Sequence, residues 1–198
     1  MSPAMERLTG LPATFTTAEA ERARLWRRDL YRLREIGVLH ELSRGVYRKA
    51  DAAETGHLDL LAVAHRAPRA VVCVLSALAL HELTDEIPTA VQIAVPRGTH
   101  RPHIDYPPVE VFEFDVTTFD LGRESVEVAV DEQVPAYGPA RSVVDAMRLR
   151  NRLGEPVALR ALRHYVLRSD AQLSDLITYA HALDVEGPVR RAVEAVLS

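Results

Sequence analysis

Arginine is concentrated in one short stretch near the start of the chain. Six arginines fall within thirteen residues there, and Asp29 is the one acidic residue among them. These arginines are Arg22, Arg24, Arg27, Arg28, Arg32 and Arg34. Guanidinium groups donate paired hydrogen bonds to phosphate oxygens and to guanine edges, so the stretch has the chemistry needed to bind nucleic acid.

The net charge of the whole chain hides this concentration. The net charge is -4 over 198 residues, but residues 1–50 hold ten basic against six acidic side chains, a balance of +4. Residues 51–198 hold fourteen basic against twenty-two acidic side chains, a balance of -8. Because phosphate attracts positive charge, the first fifty residues are the natural phosphate-binding segment.

Carboxylates near predicted strands offer a second kind of chemistry. They are Asp105, Glu110, Glu113 and Glu127. Paired carboxylates on strands hold magnesium in nucleases, but such enzymes usually carry a lysine two residues after a strand acid. Here the residue two positions after Glu127 is Ala129, and the residue two positions after Glu110 is Phe112. A magnesium-dependent nuclease is therefore the less favoured alternative, and solvated strand faces are the simpler explanation.

Other catalytic and cofactor signatures are missing from the sequence. The single Cys73 excludes a thiolate zinc site, and His81-Glu82-Leu83-Thr84-Asp85 lacks the second histidine of a zincin helix. The nine glycines form neither a P-loop nor a dinucleotide-binding fingerprint. We therefore expect no catalytic residue, no metal and no cofactor. We expect His81, His100 and His103 to be surface or hydrogen-bonded polar residues.

Two short helices are predicted to position the arginines. Thr16 can cap the first, over about residues 17–23, while Glu19 returns a hydrogen bond to its backbone. The second spans about residues 26–36 and is ended by Gly37. Its predicted core face consists of Trp26, Leu30 and Leu33.

A β-hairpin is predicted to follow the second helix. The apolar period changes to two over residues 38–42, which predicts a strand. Ser43-Arg44-Gly45 is predicted to form a turn, and Val46-Tyr47-Arg48 the second strand of the hairpin. Helix, turn, basic helix and hairpin is the order of a winged helix-turn-helix, in which the second helix enters the major groove and the wing touches phosphates. The predicted DNA-binding residues are Arg24, Arg27, Arg28, Tyr31, Arg32, Arg34, Arg44, Arg48 and Lys49. The alternative is an amphipathic surface helix with a solvated arginine face beside an ordinary hairpin.

The pattern of apolar residues in the rest of the chain predicts a mixed sheet followed by helices. A buried helix is predicted over residues 57–64, and Ser76 is predicted to cap a helix that runs to Leu83. Predicted strands cover 70–75, 91–95, 109–114 and 126–130, and predicted helices cover 142–153, 156–168, 173–183 and 188–197. The fold class is therefore α+β, with a winged helix-turn-helix in residues 1–50 and an α+β domain in residues 51–198.

The segment around residue 142 admits two interpretations. Ser142 and Asp145 have the spacing of a capping box, which is the favoured structural interpretation. The alternative is a second basic surface, for a protein partner or for DNA, formed by Arg141, Arg148, Arg150 and Arg152.

The apolar stretches and the N-terminal residues of the chain indicate its cellular location. The chain is 47% apolar and has no apolar stretch near the roughly 20 residues needed to cross a bilayer. The N-terminal residues do not follow the order of a secretory signal. We therefore expect a soluble, cytoplasmic protein without a membrane partner.

The order of four short stretches resembles the AbiEi-type antitoxins of abortive-infection, type IV toxin–antitoxin systems. Each stretch is short, and together they span nearly the whole chain. They are residues 15–19 (FTTAE), 29–33 through 44–47 (DLYRL through RGVY), 75–81 (LSALALH) and 138–145 (GPARSVVD).

The resemblance implies a function for each part of the chain. It implies an N-terminal winged helix-turn-helix that represses the system's own promoter at inverted repeats, and a C-terminal domain that neutralises a nucleotidyltransferase toxin, directly or indirectly. Family members often have glycine in the turn between the helices and serine before the second helix, whereas this chain has Arg24 and Trp26. The alternative is a winged-helix transcriptional regulator unrelated to any toxin.

Overall fold

The computed structural model describes residues 3–198, and within them the chain is α+β, as predicted. The helices are α1 (Pro3–Thr9), α2 (Thr17–Arg22), α3 (Arg27–Glu35), α4 (Leu58–Arg66), α5 (Val74–Leu80), α6 (Pro139–Arg148), α7 (Arg150–Leu153), α8 (Glu155–Val166), α9 (Leu173–Ala182) and α10 (Glu186–Leu197). The strands are β1 (Thr14–Thr16), β2 (Leu39–Ser43), β3 (Val46–Lys49), β4 (Val71–Val72), β5 (Val91–Pro96), β6 (Val109–Phe114), β7 (Arg123–Ala129) and β8 (Glu132–Tyr137). None of the helices in this range has the length and apolar character required to cross a bilayer.

The chain divides into two compact units. The first consists of the residues up to Arg69 together with Pro102–Val109 and Val126–Val134. The second consists of Ala70–Arg101, Glu110–Ser125 and Pro135–Ser198. Hydrogen bonds tie the inserted segments into the first unit: Ser43 Oγ donates to the Tyr106 carbonyl at 2.6 Å, and Thr55 Oγ1 donates to the Val128 carbonyl at 2.5 Å.

The predicted capping box begins the first predicted helix. Glu19 N–H donates to Thr16 Oγ1 at 3.3 Å, and Thr16 N–H donates to a Glu19 carboxylate oxygen at 2.6 Å. These contacts satisfy backbone donors that the first turn of a helix leaves open. α2 therefore starts at Thr17, where the local sequence predicts it.

The predicted hairpin is also present, and it belongs to a sheet of three strands in the order β1-β3-β2. β2 and β3 are antiparallel and joined by Arg44 and Gly45, with Gly45 at φ +77°. This left-handed conformation is easy for glycine because it has no Cβ. β1, which the sequence analysis did not predict, pairs antiparallel with β3 and sets Phe15 opposite Tyr47.

The prediction that Trp26 lies in the core of the second helix is wrong. Leu30 and Leu33 are buried as predicted, but the side chain of Trp26 is 57% exposed. Leu25, the preceding residue, is fully buried and packs with Phe15 and Leu30. Trp26 is instead the N-cap of α3, and its backbone N–H donates to the Asp29 carboxylate at 3.2 Å.

The second sheet is mixed, in the order β6-β5-β4-β8-β7, with β4 antiparallel to β5 and parallel to β8. The strand predicted over residues 70–75 is shortened to two residues. Val74, with φ +49°, already begins α5, so Ser76 lies inside this helix and is not its cap. The side chain of Gln92, on β5, accepts from Leu75 N–H at 2.7 Å and so satisfies a donor at this helix start.

The capping box predicted at Ser142 and Asp145 is also wrong, because α6 begins three residues earlier. Gly138 is the N-cap and Pro139 is the first helical residue, a position where proline loses no hydrogen bond. Ser142 Oγ donates to the Tyr137 carbonyl at 3.0 Å. The apolar faces of α5, α6, α8, α9 and α10 form one core of the second unit, with Leu78, Val143, Leu162, Leu176 and Val189 fully buried.

Candidate nucleic-acid interface

Arginine dominates the exposed side of α3, where it supplies four of the six exposed residues. Leu30 and Leu33 bury the other side against the core of the first unit. A helix places residues three and four apart on one face, so the remaining positions must face solvent. The exposed residues of α3 are Arg27, Arg28, Tyr31, Arg32, Arg34 and Glu35.

The exposed residues of α3 form two flanks. Arg28 and Arg32, one helical turn apart, form the outer flank, and neither makes an ion pair with any residue in 3–198. Arg27, Tyr31 and Arg34 form the inner flank, which lines a concavity shared with the hairpin. The outer flank is therefore available to a ligand without displacing an acid.

We call this concavity the wing cleft. Its volume is about 420 Å³. From α3 it is lined by Arg27, Tyr31 and Arg34, from the hairpin by Glu41, Arg44 and Tyr47, and from α4 by Arg66. The cleft thus joins the basic helix to the wing.

Glu41 ties the wing to α3. One carboxylate oxygen accepts from Gly45 N–H in the wing turn at 3.1 Å, and the other accepts from the Arg34 guanidinium at 2.5 Å. The hydrogen bond that Arg34 donates to Glu41 raises the pKa of Arg34 above its ordinary value, so the arginine stays charged. The guanidinium of Arg34 also lies 5.4 Å from the ring centre of Tyr31.

Arg66 is a candidate residue that sequence reasoning missed. Its guanidinium donates to the carbonyl of Arg44 at 3.2 Å and to that of His103 at 3.3 Å. It lies at the end of α4, beyond the predicted winged helix-turn-helix, and no local motif marks it. Only the packing of α4 near the hairpin brings this charge to the wing tip.

Arg24 occupies the turn between α2 and α3 in a strained conformation. Its φ is +58°, in the left-handed region where a side chain other than glycine costs about 1–2 kcal/mol. Its side chain is exposed, so the guanidinium is on the surface with those of α3.

Arg48 and Lys49 are not on the exposed surface, contrary to their predicted place in the interface. Arg48 is buried, where its guanidinium forms an ion pair with Glu132 and donates to Thr14 Oγ1 at 2.7 Å. Lys49 is half-buried, and its ammonium donates to the Leu11 carbonyl. Side chains alternate along β3, and Arg48 lies on the same face as the buried Val46, so it points inward.

Arg141 cannot belong to the second basic surface predicted on the C-terminal helices, because it is fully buried. Its guanidinium pairs with Asp145 at 3.0 Å and donates to the carbonyls of Thr118 and Leu121. It also lies 4.2 Å from the ring centre of Tyr137. Arg141 is thus a structural residue of the second unit.

The other three arginines of that prediction are largely engaged with the second unit itself. Arg148 pairs with the buried Asp145 at 2.8 Å, and Arg150 donates to the Met147 carbonyl at 2.7 Å. Arg152 is exposed but pairs with Glu110 and lies over the ring of Phe112.

Three of the four carboxylates considered for magnesium bind other side chains. Glu113 pairs with Arg101 at 2.7 Å, and Asp105 lies 3.0 Å from His103. Glu110 accepts from Gln92 at 2.7 Å as well as from Arg152. Among residues 3–198, no three histidine, cysteine, aspartate or glutamate side chains are grouped in a way that could hold a metal ion.

Cys73 is buried and His81 is half-buried. Burial raises the pKa of the Cys73 thiol well above its ordinary value, so the thiol is held protonated. Burial lowers the pKa of His81, whose Nε2 lies 2.8 Å from the Tyr137 carbonyl. His81 is therefore a hydrogen-bonded polar residue, as expected.

Comparison with known proteins bears on the fold. No family model matches this sequence, and neither does any curated protein. A structural likeness exists to the RV2827C protein from Mycobacterium tuberculosis, with a TM-score of 0.60 and 19% sequence identity. The match covers 100% of this chain and 81% of that one. The two proteins are similar in fold over the full length of this chain.

Proposed function

We propose that this protein binds double-stranded DNA through α3 and the wing of its first unit and acts as a transcriptional repressor. The observation that carries the proposal is the exposed basic side of α3, which lies beside a hairpin with Arg44 at its turn. A surface of this composition attracts phosphate, and the order of elements is that of a winged helix-turn-helix.

The geometry suggests a role for each flank of α3. The major groove of B-DNA is about 12 Å wide and admits one helix. With α3 in the groove, Arg28 and Arg32 on the outer flank face base edges, where arginine pairs with guanine. Arg44 at the wing tip and Arg24 in the preceding turn face the sugar-phosphate backbone.

We further propose that the protein is the antitoxin of a type IV, AbiE-like toxin–antitoxin system. The support is the resemblance of its sequence stretches to AbiEi-type antitoxins. In this proposal the protein is cytoplasmic and non-catalytic, represses its own promoter at inverted repeats, and neutralises a nucleotidyltransferase toxin directly or indirectly. A winged-helix regulator without a toxin is the alternative, and a neighbouring nucleotidyltransferase gene distinguishes the two.

Two measurements test the proposal. Fluorescence anisotropy of labelled duplexes from the region upstream of the gene should show tighter binding than scrambled duplexes of equal length. Co-expression with the product of a neighbouring nucleotidyltransferase gene should restore growth. Equal affinity for both duplexes contradicts the repressor, and growth arrest despite soluble protein contradicts the antitoxin.

A further inference from the structure

The wing cleft carries more positive charge than its own wall neutralises. Four arginines line it, namely Arg27, Arg34, Arg44 and Arg66, against the single acid Glu41. Four positive charges and one negative charge leave +3 on the wall. This excess lies inside a concavity of about 420 Å³, where charges of one sign focus the field on a bound ion.

The four guanidinium groups are differently engaged. Arg34 is held by Glu41. Arg27, whose side chain is 84% exposed, makes a long contact of 3.4 Å between its Nε and a Glu21 carboxylate oxygen. Arg66 donates to two backbone carbonyls, which leave its charge unneutralised. Arg44 forms no ion pair within residues 3–198. Arg44, and Arg27 with its long contact, therefore have donors to offer an anion, and the charge of Arg66 is still available to attract one.

The size and walls of the cleft indicate which anion it accepts. One water molecule takes about 30 Å³, so the cleft has room for far more than a bare phosphate. Arginine forks match phosphate oxygens, and the exposed Tyr31 beside them offers a hydroxyl and a flat ring to a sugar. A phosphodiester with its flanking sugars has both the charge and the bulk.

We propose that the wing cleft seats the phosphodiester backbone of one DNA strand, with Arg66 of α4 as a direct phosphate ligand and Glu41 as an acid that weakens this binding. The inference rests on the proposed DNA-binding function and extends it to a helix outside the winged helix-turn-helix. It assigns the inner flank of α3 to backbone contacts, which are independent of base sequence.

Arg66→Ala tests the phosphate ligand, and Arg69→Ala is its matched control. Arg69 is an exposed arginine three residues further along the chain that does not line the cleft. Binding is measured by anisotropy on operator and scrambled duplexes from about 50 to 200 mM salt. Arg66→Ala should raise Kd about tenfold on both duplexes and lower the slope of log K against log salt by about one, whereas Arg69→Ala should change Kd less than twofold.

Glu41→Gln separates a direct electrostatic role from damage to the wing. Glutamine can still accept from Gly45 N–H but no longer opposes the arginines. The variant should bind both duplexes about two- to fivefold more tightly at low salt. A disturbed wing weakens binding, so a gain in affinity supports the cleft.

The outcomes also distinguish the cleft from the proposed function. If the wild-type protein binds no duplex at 50 mM salt, both proposals fail. If it binds duplex but Arg66→Ala behaves like Arg69→Ala, only the cleft assignment is overturned. The assignment to a DNA strand is also overturned if Arg66→Ala weakens the binding of a free mononucleotide or inorganic phosphate but leaves the affinity for duplex unchanged.

Discussion

The buried pair of Arg48 and Glu132 shows how a single charged residue supports the first unit. The two side chains are 6% and 9% exposed, and they come from β3 and β8. The Arg48 guanidinium is further satisfied by Thr14 and by the Ala53 carbonyl. Such a pair contributes stability only while both partners remain, because either charge alone is costly to bury.

Removing one partner of this pair should therefore be strongly destabilising. We predict that Glu132→Ala lowers the free energy of unfolding by about 3–5 kcal/mol, measured by urea denaturation. The matched control is Glu127→Ala, on the exposed side of β7, which should stay within about 0.5 kcal/mol of wild type. The double variant Arg48→Met with Glu132→Leu should recover most of the loss. A loss below 1 kcal/mol in Glu132→Ala contradicts this account.

At the scale of the element, α3 divides base reading from backbone binding. We predict that Arg28→Ala or Arg32→Ala weakens operator binding about ten- to a hundredfold. Either variant should also reduce the difference in affinity between operator and scrambled duplexes. Arg44→Ala should weaken both duplexes alike and reduce the salt slope by about one. Arg160→Ala, on the exposed side of α8, serves as a control for net charge. If the α3 variants lose affinity equally on both duplexes, the arginine face is only an electrostatic surface.

The exposed N-cap of α3 provides a reporter for the same contact. Trp26 is the one tryptophan in the chain, and it precedes Arg27 and Arg28. Because its indole is largely in water, we predict that saturating operator duplex shifts its emission to shorter wavelength and changes its intensity. The double variant Arg28→Ala, Arg32→Ala should need correspondingly more DNA to reach the same change. Constant emission at concentrations where anisotropy shows binding would place Trp26 outside the interface.

At the scale of the whole molecule, DNA binding and toxin neutralisation should be separable. Apart from Arg66, the proposed DNA contacts lie in the basic first fifty residues. Residues 51–198 carry a balance of -8, which suits a protein partner better than phosphate. We predict that the full-length variant Arg28→Ala, Arg32→Ala, Arg44→Ala loses promoter repression in a reporter assay yet still restores growth in the presence of the neighbouring toxin. Loss of both activities in a folded, soluble variant contradicts this division of labour.

Point variants suit that test better than truncation. The first unit includes Pro102–Val109 and Val126–Val134, and a chain cut after residue 50 removes Glu132 from the buried Arg48. A fragment of residues 1–50 would then bury an unpaired charge. Folding and function could be lost together in such a fragment, whereas exposed arginines can be replaced without disturbing the core.

The sequence by itself determined the features that depend on neighbours a few residues apart. The Thr16 and Glu19 capping box closes within three residues, and the Arg44-Gly45 turn joins adjacent strands. The burial of Leu30 and Leu33 follows from helical spacing in the same way. Residue type and spacing carry that information because the partners are close along the chain.

The tertiary structure decided what depends on distant partners. Arg48 is withdrawn from the surface by Glu132, 84 residues away, and Gln92 satisfies the helix start at Leu75, where Ser76 had the local signal of a cap. Arg66 joins the wing tip through the packing of α4, and Leu25 fills the core position expected of Trp26. A buried polar group must find a partner wherever the fold supplies one, and a core position takes the side chain that fits it, so neither outcome is written in local spacing.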